Sequence, residues 1–243
     1  MLDSSLAFFK PITLSELNGV SLMKRVDTKF ILHKKHLVEI LTSLQNDFQI
    51  LEIDQKRLME YQSLYFDTAE KQFYFQHHNG IANRCKIRMR CYIDSNLTFL
   101  EIKQKDPQGN TVKSRIKIPE IKNELFGDEK LFVQGKLKQE IDLIPSISNG
   151  FNRFTLISNE RKERVTFDLN LTFNNQIFND NLVIVELKQA IFKRNSPLVL
   201  ALKNKQLYPY KISKYCLGIA LHNPEIKQNL FKHKFLTINK VTH

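Results

Sequence analysis

Arginine and lysine alternate with apolar residues over residues 84–91. Arg84, Lys86, Arg88 and Arg90 take the even positions, while cysteine, isoleucine and methionine take the odd ones. Because successive side chains of a β-strand point to opposite faces of the sheet, this spacing places the cations on one face and the apolar side chains on the other. A row of guanidinium groups suits the binding of phosphate, since the planar fork of arginine can grip two oxygens at once.

The same alternation recurs in five further segments, so that several strands each carry charged side chains on one face. The recurring sets are Arg25, Asp27 and Lys29; Glu101, Lys103 and Lys105; Lys113, Arg115 and Lys117; Arg164, Thr166 and Asp168; and Glu186 with Lys188. A solvated sheet face normally mixes both signs of charge freely. Cations at positions i and i+2 lie about 6.7 Å apart and repel by roughly 2.5 kcal/mol at an effective dielectric near 20. We therefore expect these cations to line a cavity that binds an anion.

The elements that would position these side chains are short strands separated by turns and helices. Periodicity predicts strands near 24–32, 48–53, 61–66, 82–118, 161–173 and 182–189, and helices near 34–47, 197–202 and 211–221. A charged inner face and an apolar outer face would suit a sheet closed into a barrel with helices packed outside it. We expect an α+β fold with one domain over residues 1–222 and a loosely held basic tail over residues 223–243.

Composition restricts the classes of protein and partner. The 243 residues include 37 Lys and Arg against 25 Asp and Glu, a net charge of +12, and 42% are hydrophobic. A core can therefore form, and polyanions are the natural partners. No apolar run approaches the roughly 20 residues of a membrane helix. The three cysteines include no C-x-x-C pair, which is typical of a reducing compartment, and we expect a cytoplasmic protein. Glycine-rich phosphate loops are missing from the sequence, so side chains would have to bind the phosphates.

These motifs together resemble a known family. The sequence is similar to the triphosphate tunnel metalloenzyme (CYTH-like) superfamily and, within it, to the polyphosphate polymerase domain of the vacuolar transporter chaperone (VTC) type. The matching pieces are Arg25-x-Asp27-x-Lys29, Tyr65-Phe-Asp-Thr68, Lys86-x-Arg88-x-Arg90, Glu101-x-Lys103, Lys113-x-Arg115, Arg164-x-x-x-Asp168, Glu186-x-Lys188 and Lys211-x-x-Lys214-Tyr215. They follow one another in order over residues 20–220.

The resemblance implies an eight-stranded antiparallel β-barrel, or tunnel, that binds triphosphate units with a divalent metal, Mn²⁺ or Mg²⁺. It assigns catalytic roles to Arg88, Arg90, Lys103, Arg164 and Lys214. It assigns substrate binding to Arg25, Lys29, Lys86, Lys113, Arg115, Lys188 and Lys211, with Lys211 and Lys214 one turn apart on the last helix. Glu186 would be the principal metal carboxylate and Glu101 the second.

In the polymerase branch, ATP donates its γ-phosphate to a growing polyphosphate chain. The partners implied are therefore ATP and polyphosphate or triphosphate, and no nucleic acid. Movement of polyphosphate across a membrane would need a separate membrane partner. Hydrolase and cyclase members begin with Glu-x-Glu-x-Lys, whereas this chain has Arg25-x-Asp27-x-Lys29, which favours the polymerase branch.

Other interpretations remain open at this point. Hydrolysis of inorganic or organic triphosphate is one, and binding of a polyanion without catalysis is another. Such binding of a polyanion or a nucleic acid without catalysis ranks last, because the aromatic residues mostly fall on the apolar parity. At single positions, Glu186 could instead pair with a tunnel lysine, and Asp27 and Asp168 are expected to orient cations. Asp67 is expected to cap a helix, and Tyr65 and Tyr215 to serve in packing.

Overall fold

The structure is a computed structural model that describes residues 2–16, 26–106, 108 and 110–243. Its α-helices are α1 (Leu2–Ala7), α2 (Leu37–Leu44), α3 (Gln72–His78), α4 (Asp128–Leu137), α5 (Pro197–Asn204), α6 (Lys214–His222) and α7 (Asn229–Thr242). Its β-strands are β1 (Pro11–Ile12), β2 (Val26–His33), β3 (Gln49–Leu51), β4 (Met59–Asp67), β5 (Arg84–Tyr92), β6 (Leu97–Lys105), β7 (Thr111–Ile118), β8 (Ile144–Ser158), β9 (Glu163–Phe173), β10 (Gln176–Ile177) and β11 (Leu182–Gln189).

Eight strands form a continuous antiparallel sheet in the order β2-β11-β9-β8-β4-β5-β6-β7. The short strands extend it: β3 pairs with β8, β10 pairs with β9, and β1 lies parallel to β3. Within the described residues no ladder joins the edge strands β2 and β7. The predicted α+β class with an antiparallel sheet is therefore confirmed, and the closed barrel is wrong. Alternation of side chains fixes which face of a strand is charged, but it does not say whether the two edges of the sheet pair.

The open sheet nevertheless curves around its charged face. Lys29 lies on β2, at one edge, and Lys86 lies on β5, near the other. The Lys29 ammonium donates to the backbone carbonyl of Ile212 (3.2 Å), and the Lys86 ammonium donates to the hydroxyl of Ser213 (3.0 Å). Because two adjacent residues receive lysines from distant strands, the charged face must be concave.

The convex face of the sheet carries two apolar cores, as the alternation of residues predicts. One core packs helices α1, α2 and α5 against β2, β8, β9 and β11, with Phe154 and Phe167 stacked at 4.6 Å between ring centroids. The other buries the odd positions of β5, namely Cys85, Ile87 and Met89, beneath the segment that contains α4. Helices therefore cover the apolar face of every strand that presents a charged concave side.

Helices α6 and α7 pack inside the concavity, at the end where the strands become apolar. Tyr215 and Ile219 of α6 and Phe231 and Ile238 of α7 share a cluster of buried side chains with the strands. Gly218 allows the close approach, since a Cβ atom there would lie 2.7 Å from the Phe173 ring and 2.9 Å from Ile147. This apolar plug fills one end of the concave face and leaves the charged end to solvent.

Residues 223–243 differ from the expected loose tail. Residues 229–242 form α7, whose Phe231, Ile238 and Thr242 are buried, so that prediction is wrong for this segment. Its polar and basic composition concealed a spacing of apolar residues typical of a helix with one buried face. The division into a domain over residues 1–222 and a tail stays a prediction. In the part of the chain that the structure describes, no helix is both long and apolar enough to cross a membrane.

Two further element boundaries differ from the sequence prediction. The helix expected over residues 211–221 begins at Lys214, because Ser213 caps it by accepting a hydrogen bond from the Cys216 amide. Lys211 therefore precedes α6 and does not share a helical turn with Lys214. Strand β8, the longest of the sheet, lies between residues 118 and 161, where the sequence pattern predicted no strand.

Candidate functional site

The concave face of the sheet encloses a space lined mainly by cations, which we call the basic interior. The residues that line it are Lys29, Lys86, Arg88, Arg90, Lys103, Lys113, Arg153, Arg164, Lys188 and Lys214, with Asp27, Glu101, Asp168 and Glu186 among them. Lys103 and Lys113 are exposed to solvent, yet burial among protein atoms lowers the pKa of both. This combination is typical of side chains that project into a solvent-filled cavity with protein walls.

Glu101 on β6 joins the cations of the two strands that flank it, β5 and β7. One carboxylate oxygen accepts two hydrogen bonds from Arg88, at 2.9 and 2.6 Å, and the other pairs with Lys113. Burial alone would raise the pKa of this carboxyl, but the charges of Arg88 and Lys113 lower it to about 2. Glu101 therefore stays ionised and fixes the direction of Arg88.

Asp168 forms a second buried cluster on the opposite side of the basic interior. Its two oxygens accept from Nε and Nη2 of Arg153, at 2.5 and 2.8 Å, and one of them also pairs with Lys214. Burial opposes the charge, but Arg153 and Lys214 hold the pKa of Asp168 well below its usual range. The Lys214 ammonium also lies 4.1 Å from the centre of the Phe151 ring. The expectation that Asp168 orients cations is confirmed.

The third cluster lies at the edge of the sheet. Lys188 on β11 pairs with Glu186 and, at 3.4 Å, with Asp27 on β2. Lys29 lies directly opposite Glu186 in the β2–β11 ladder. Burial would raise the pKa of Glu186, but Lys29 and Lys188 hold it far below the ordinary value. The charges of Glu186 and Asp27 also act on Lys103 of β6, which is therefore near them across the basic interior.

Several cations of the basic interior are left without a carboxylate partner. Arg90 is only 6% exposed, and its Nε donates to the neutral Ser63 hydroxyl at 3.0 Å. Burial and the neighbouring Arg88 lower its pKa to about 10. Burial also lowers the pKa of Lys86 to about 8, and no ion pair to Arg90, Lys86 or Lys103 occurs within the described ranges. Buried charge of one sign without a partner is unfavourable unless an anion binds.

Most residues assigned from the sequence come together here. Lys29, Lys86, Arg88, Arg90, Lys103, Lys113, Arg164, Lys188 and Lys214 line the basic interior with Glu101 and Glu186. Arg115, on the edge strand β7, is exposed and lies over the Phe99 ring at 4.5 Å. Lys211 is exposed outside the helix, and its carbonyl accepts a hydrogen bond from Lys234 at 2.6 Å. Arg25 lies outside the described residues.

Sequence analysis missed Arg153, and it missed one further contact each of Tyr65 and Asp67. Arg153 was missed with strand β8, although the alternation of Arg153 with Phe154 and Leu156 was a usable signal. Tyr65 packs in a buried cluster as expected, and its hydroxyl also accepts a hydrogen bond from Arg88 at 3.1 Å. Asp67 does cap α3 as expected, by accepting from the amides of Phe73 (2.8 Å) and Tyr74 (3.0 Å). It also accepts a hydrogen bond from the Tyr215 hydroxyl, which sequence analysis missed.

The donor set suits a divalent metal only in part. Within the described residues no group of three His, Cys, Asp or Glu side chains is arranged to hold an ion. Magnesium typically uses one or two carboxylates and takes its remaining ligands from water and substrate phosphates. Glu186, with Asp27 on the other side of Lys188, fits that pattern. Glu101 does not, because cations engage both of its oxygens.

Comparisons with known proteins agree with this geometry. The sequence model of the VTC domain family matches residues 24–223. A putative adenylyl cyclase from Hippeastrum, described as having a dominant triphosphatase activity, shares the fold at a TM-score of 0.52 and 15% identity, over 81% of this chain and 95% of that one.

A putative adenylate cyclase from Bacillus halodurans matches at a TM-score of 0.52 and 14% identity, over 78% of this chain and 94% of that one. At such identities the likeness concerns the fold alone. A search of curated protein sequences gives no match. The resemblance found in the motifs is confirmed by the match over residues 24–223, and the chain belongs to the VTC domain family.

Proposed function

We propose that this protein is a metal-dependent phosphotransferase that moves the γ-phosphate of ATP onto a growing polyphosphate chain held in the basic interior. The observation that carries the proposal is the surplus of desolvated cations, with Arg90 as its clearest case. This buried guanidinium contacts a serine hydroxyl and two aromatic rings, no carboxylate among the described residues pairs with it, and it therefore favours binding of an anion. A chain of phosphates supplies evenly spaced negative charge along such a space.

The chain's own residues would bind and align the two phosphate groups. Arg88, Arg90, Lys103 and Arg164 would hold the transferred group and neutralise the charge that spreads over its oxygens. Lys29, Lys86, Lys113 and Lys188 would hold the flanking phosphates. Asp168 would keep Arg153 and Lys214 aimed into the basic interior, because it engages both of them. Positioning of this kind can supply most of the rate increase of a phosphoryl transfer.

The ionisation of the carboxylates favours transfer to a phosphate over transfer to water. A terminal phosphate oxygen is already anionic and needs no general base, whereas water must lose a proton. Cations lower the pKa of Glu101, Asp168 and Glu186, which makes all three weak bases near neutral pH. Hydrolysis of triphosphate is the second candidate, and the triphosphatase activity described for the Hippeastrum protein favours it.

Glu186, with Asp27, would hold Mn²⁺ or Mg²⁺ together with phosphate oxygens of the substrate. A bound divalent ion would neutralise phosphate charge during the transfer. The three cysteines, which are free thiols, support the proposal that the protein works in the cytoplasm. Transport of the product across a membrane would need a separate partner.

The test is incubation with ATP and Mn²⁺ or Mg²⁺, with products separated on a gel. We expect a ladder of polyphosphate that Glu186→Gln abolishes and that Glu160→Gln, a change at an exposed glutamate, leaves intact. Phosphate release from tripolyphosphate without a ladder would assign the protein to the hydrolase branch. Binding of tripolyphosphate with neither product would contradict both enzymatic functions.

A further inference from the structure

Tyr65, whose side chain is ordinarily neutral, lies beside the middle of the row of cations Lys86, Arg88 and Arg90 on β5. It lies on β4 directly opposite Arg88 of β5 and is 4% exposed. Its hydroxyl oxygen accepts a hydrogen bond from Nη1 of Arg88 at 3.1 Å. In the described part of the chain no oxygen accepts the proton of the Tyr65 hydroxyl in return. The phenol therefore behaves as an acceptor only, which is how a carboxylate would behave at this position.

The groups around Tyr65 differ in charge from element to element. Strand β5 presents Lys86, Arg88 and Arg90, whose charges all act on the phenol. Strand β8 presents the apolar Ile147 as its cross-strand partner. Helix α6 presents the neutral ring of Tyr215 at 5.1 Å, with His77 of α3 behind it at 6.5 Å from that ring. Strand β6 presents Glu101, which is shared between Arg88 and Lys113.

Glu101 pairs with Arg88, but the two neighbouring acids do not balance both arginines, Arg88 and Arg90. Glu101 divides its oxygens between Arg88 and Lys113, and Asp67 is occupied by helix α3 and by Tyr215. Burial also drives the pKa of His77 down to about 2, so this histidine is neutral and adds no charge. Among the residues that the structure describes, Tyr65 is thus a further group beside Arg88 that can carry a negative charge.

We propose that Tyr65 is a positioning residue whose oxygen serves, beside Glu101, as a second internal counter-anion for Arg88 and Arg90 in the ligand-free protein, and that a bound phosphate chain takes over this role. When the phosphate chain binds, the phenolate takes one proton from solvent and becomes a phenol. One O–H bond forms, and no electron is transferred. The identity of the ligand rests on the proposed function, whereas the ionisation of Tyr65 in the ligand-free protein does not.

The charges around Tyr65 favour its ionised form, in agreement with the hydrogen bond that its oxygen accepts from Arg88. Burial would raise the pKa of its phenol, but Arg88 and Arg90 lower it to about 7. Burial raises the pKa of Tyr61, Tyr74 and Tyr215 instead. Near pH 8, an ultraviolet tyrosinate signal would therefore come from Tyr65 rather than from these three. A phosphate placed on the arginines adds negative charge nearby, which raises the pKa of Tyr65 and draws a proton onto it.

Proton uptake by Tyr65 makes the affinity for the phosphate chain depend on pH. Below about pH 7 the phenol already holds its proton, so binding consumes none there. Above that pH each bound ligand takes up a proton, and affinity falls by up to about tenfold per pH unit from this group. Lys86 and Lys214, with pKa values near 8, also gain protons when an anion binds. The difference between the wild-type protein and Tyr65→Phe isolates the contribution of Tyr65.

The experiment follows tyrosinate absorbance during a pH titration of the ligand-free protein and then adds inorganic tripolyphosphate at pH 8. We expect one phenol to titrate near neutral pH in the wild type and none in Tyr65→Phe. Tyr208→Phe, a change at a tyrosine that is 64% exposed, should leave that titration intact. Arg88→Lys, a second variant that keeps the charge but loses the fork, should move the titration to higher pH. Tripolyphosphate should abolish the signal at pH 8.

Calorimetry in buffers of different ionisation enthalpy then counts the protons taken up on binding. We expect up to one proton fewer for Tyr65→Phe than for the wild type at pH 8. Absence of a neutral-range tyrosinate, or a signal unchanged by tripolyphosphate that binds, would overturn the inference. If tripolyphosphate binds neither protein, the proposed function and the displacement step fail together, while the ligand-free titration still decides whether Tyr65 is a counter-anion.

Discussion

Asp168 shows how one buried carboxylate can organise a cationic site. It is 3% exposed and engages both Arg153 of β8 and Lys214 of α6. A buried ion cluster of this kind contributes little net stability as a whole, but removing one member leaves the others buried without compensation. The carboxylate is therefore needed to keep two cations in the basic interior while no substrate is present.

Asp168→Asn should lower the free energy of unfolding by about 3–5 kcal/mol in the absence of ligand, because Arg153 and Lys214 lose their counter-charge. Urea unfolding at neutral pH measures this loss. Asp180→Asn, at an exposed aspartate, should change stability by less than about 0.5 kcal/mol. Tripolyphosphate should narrow the difference between Asp168→Asn and the wild type, since it replaces the missing negative charge. Equal free energies of unfolding for Asp168→Asn and Asp180→Asn would show that Asp168 is dispensable.

At the scale of elements, helix α6 couples the apolar plug to the charged end of the interior. Its buried face packs on the sheet through Gly218, and its first turn carries Lys214 and the cap Ser213, which holds Lys86. A displacement of the helix away from the sheet would therefore move two cations of the site at once. Packing at one end of α6 sets the geometry at the other.

Gly218→Ala tests this coupling. The new methyl group would lie 2.7 Å from Phe173 and 2.9 Å from Ile147, so the helix or the sheet must shift, at a cost of about 1–3 kcal/mol in unfolding free energy. We also expect weaker binding of tripolyphosphate, measured by calorimetry. Gly135→Ala in α4 is the matched control, because nothing lies within 4 Å of its new Cβ. That change should stabilise the protein by about 0.5–1 kcal/mol and leave binding unchanged.

The elements also show how far the sequence could predict the site. Strand parity placed Lys86, Arg88 and Arg90 on one face, because a period of two is a local property of the chain. The same alternation did not predict strand β8. Its ladder with β9 shifts register near Gly150, and its ladder with β4 shifts register near Tyr65 of β4, so the simple alternation is interrupted. Arg153, which lies on β8, was therefore not predicted as a site residue. The curvature that brings Lys103 towards Glu186 depends on contacts between distant strands, which no local pattern encodes.

At the scale of the whole molecule, the net charge of +12 is divided between the basic interior and the outer surface. Lys232 and Lys240 of α7 are exposed and belong to the charges of the outer surface. Exposed charges are screened by salt over about 8 Å at physiological ionic strength, whereas partly buried ones are screened much less. Removal of one charge should therefore affect anion binding differently in the basic interior and on the outer surface.

Two variants with equal net charge separate a ligand held inside from a polyanion attracted to the surface. Lys103→Gln removes one cation from the basic interior, and Lys240→Gln removes one from the exposed face of α7. We expect Lys103→Gln to weaken tripolyphosphate binding by about tenfold or more, since a charge-assisted hydrogen bond contributes roughly 1.5–3 kcal/mol. Lys240→Gln should change the dissociation constant by less than about twofold at physiological salt. Equal losses in the two variants would mean that net charge alone attracts the ligand, and the phosphate chain would then have no assigned place among Arg88, Arg90 and Lys103.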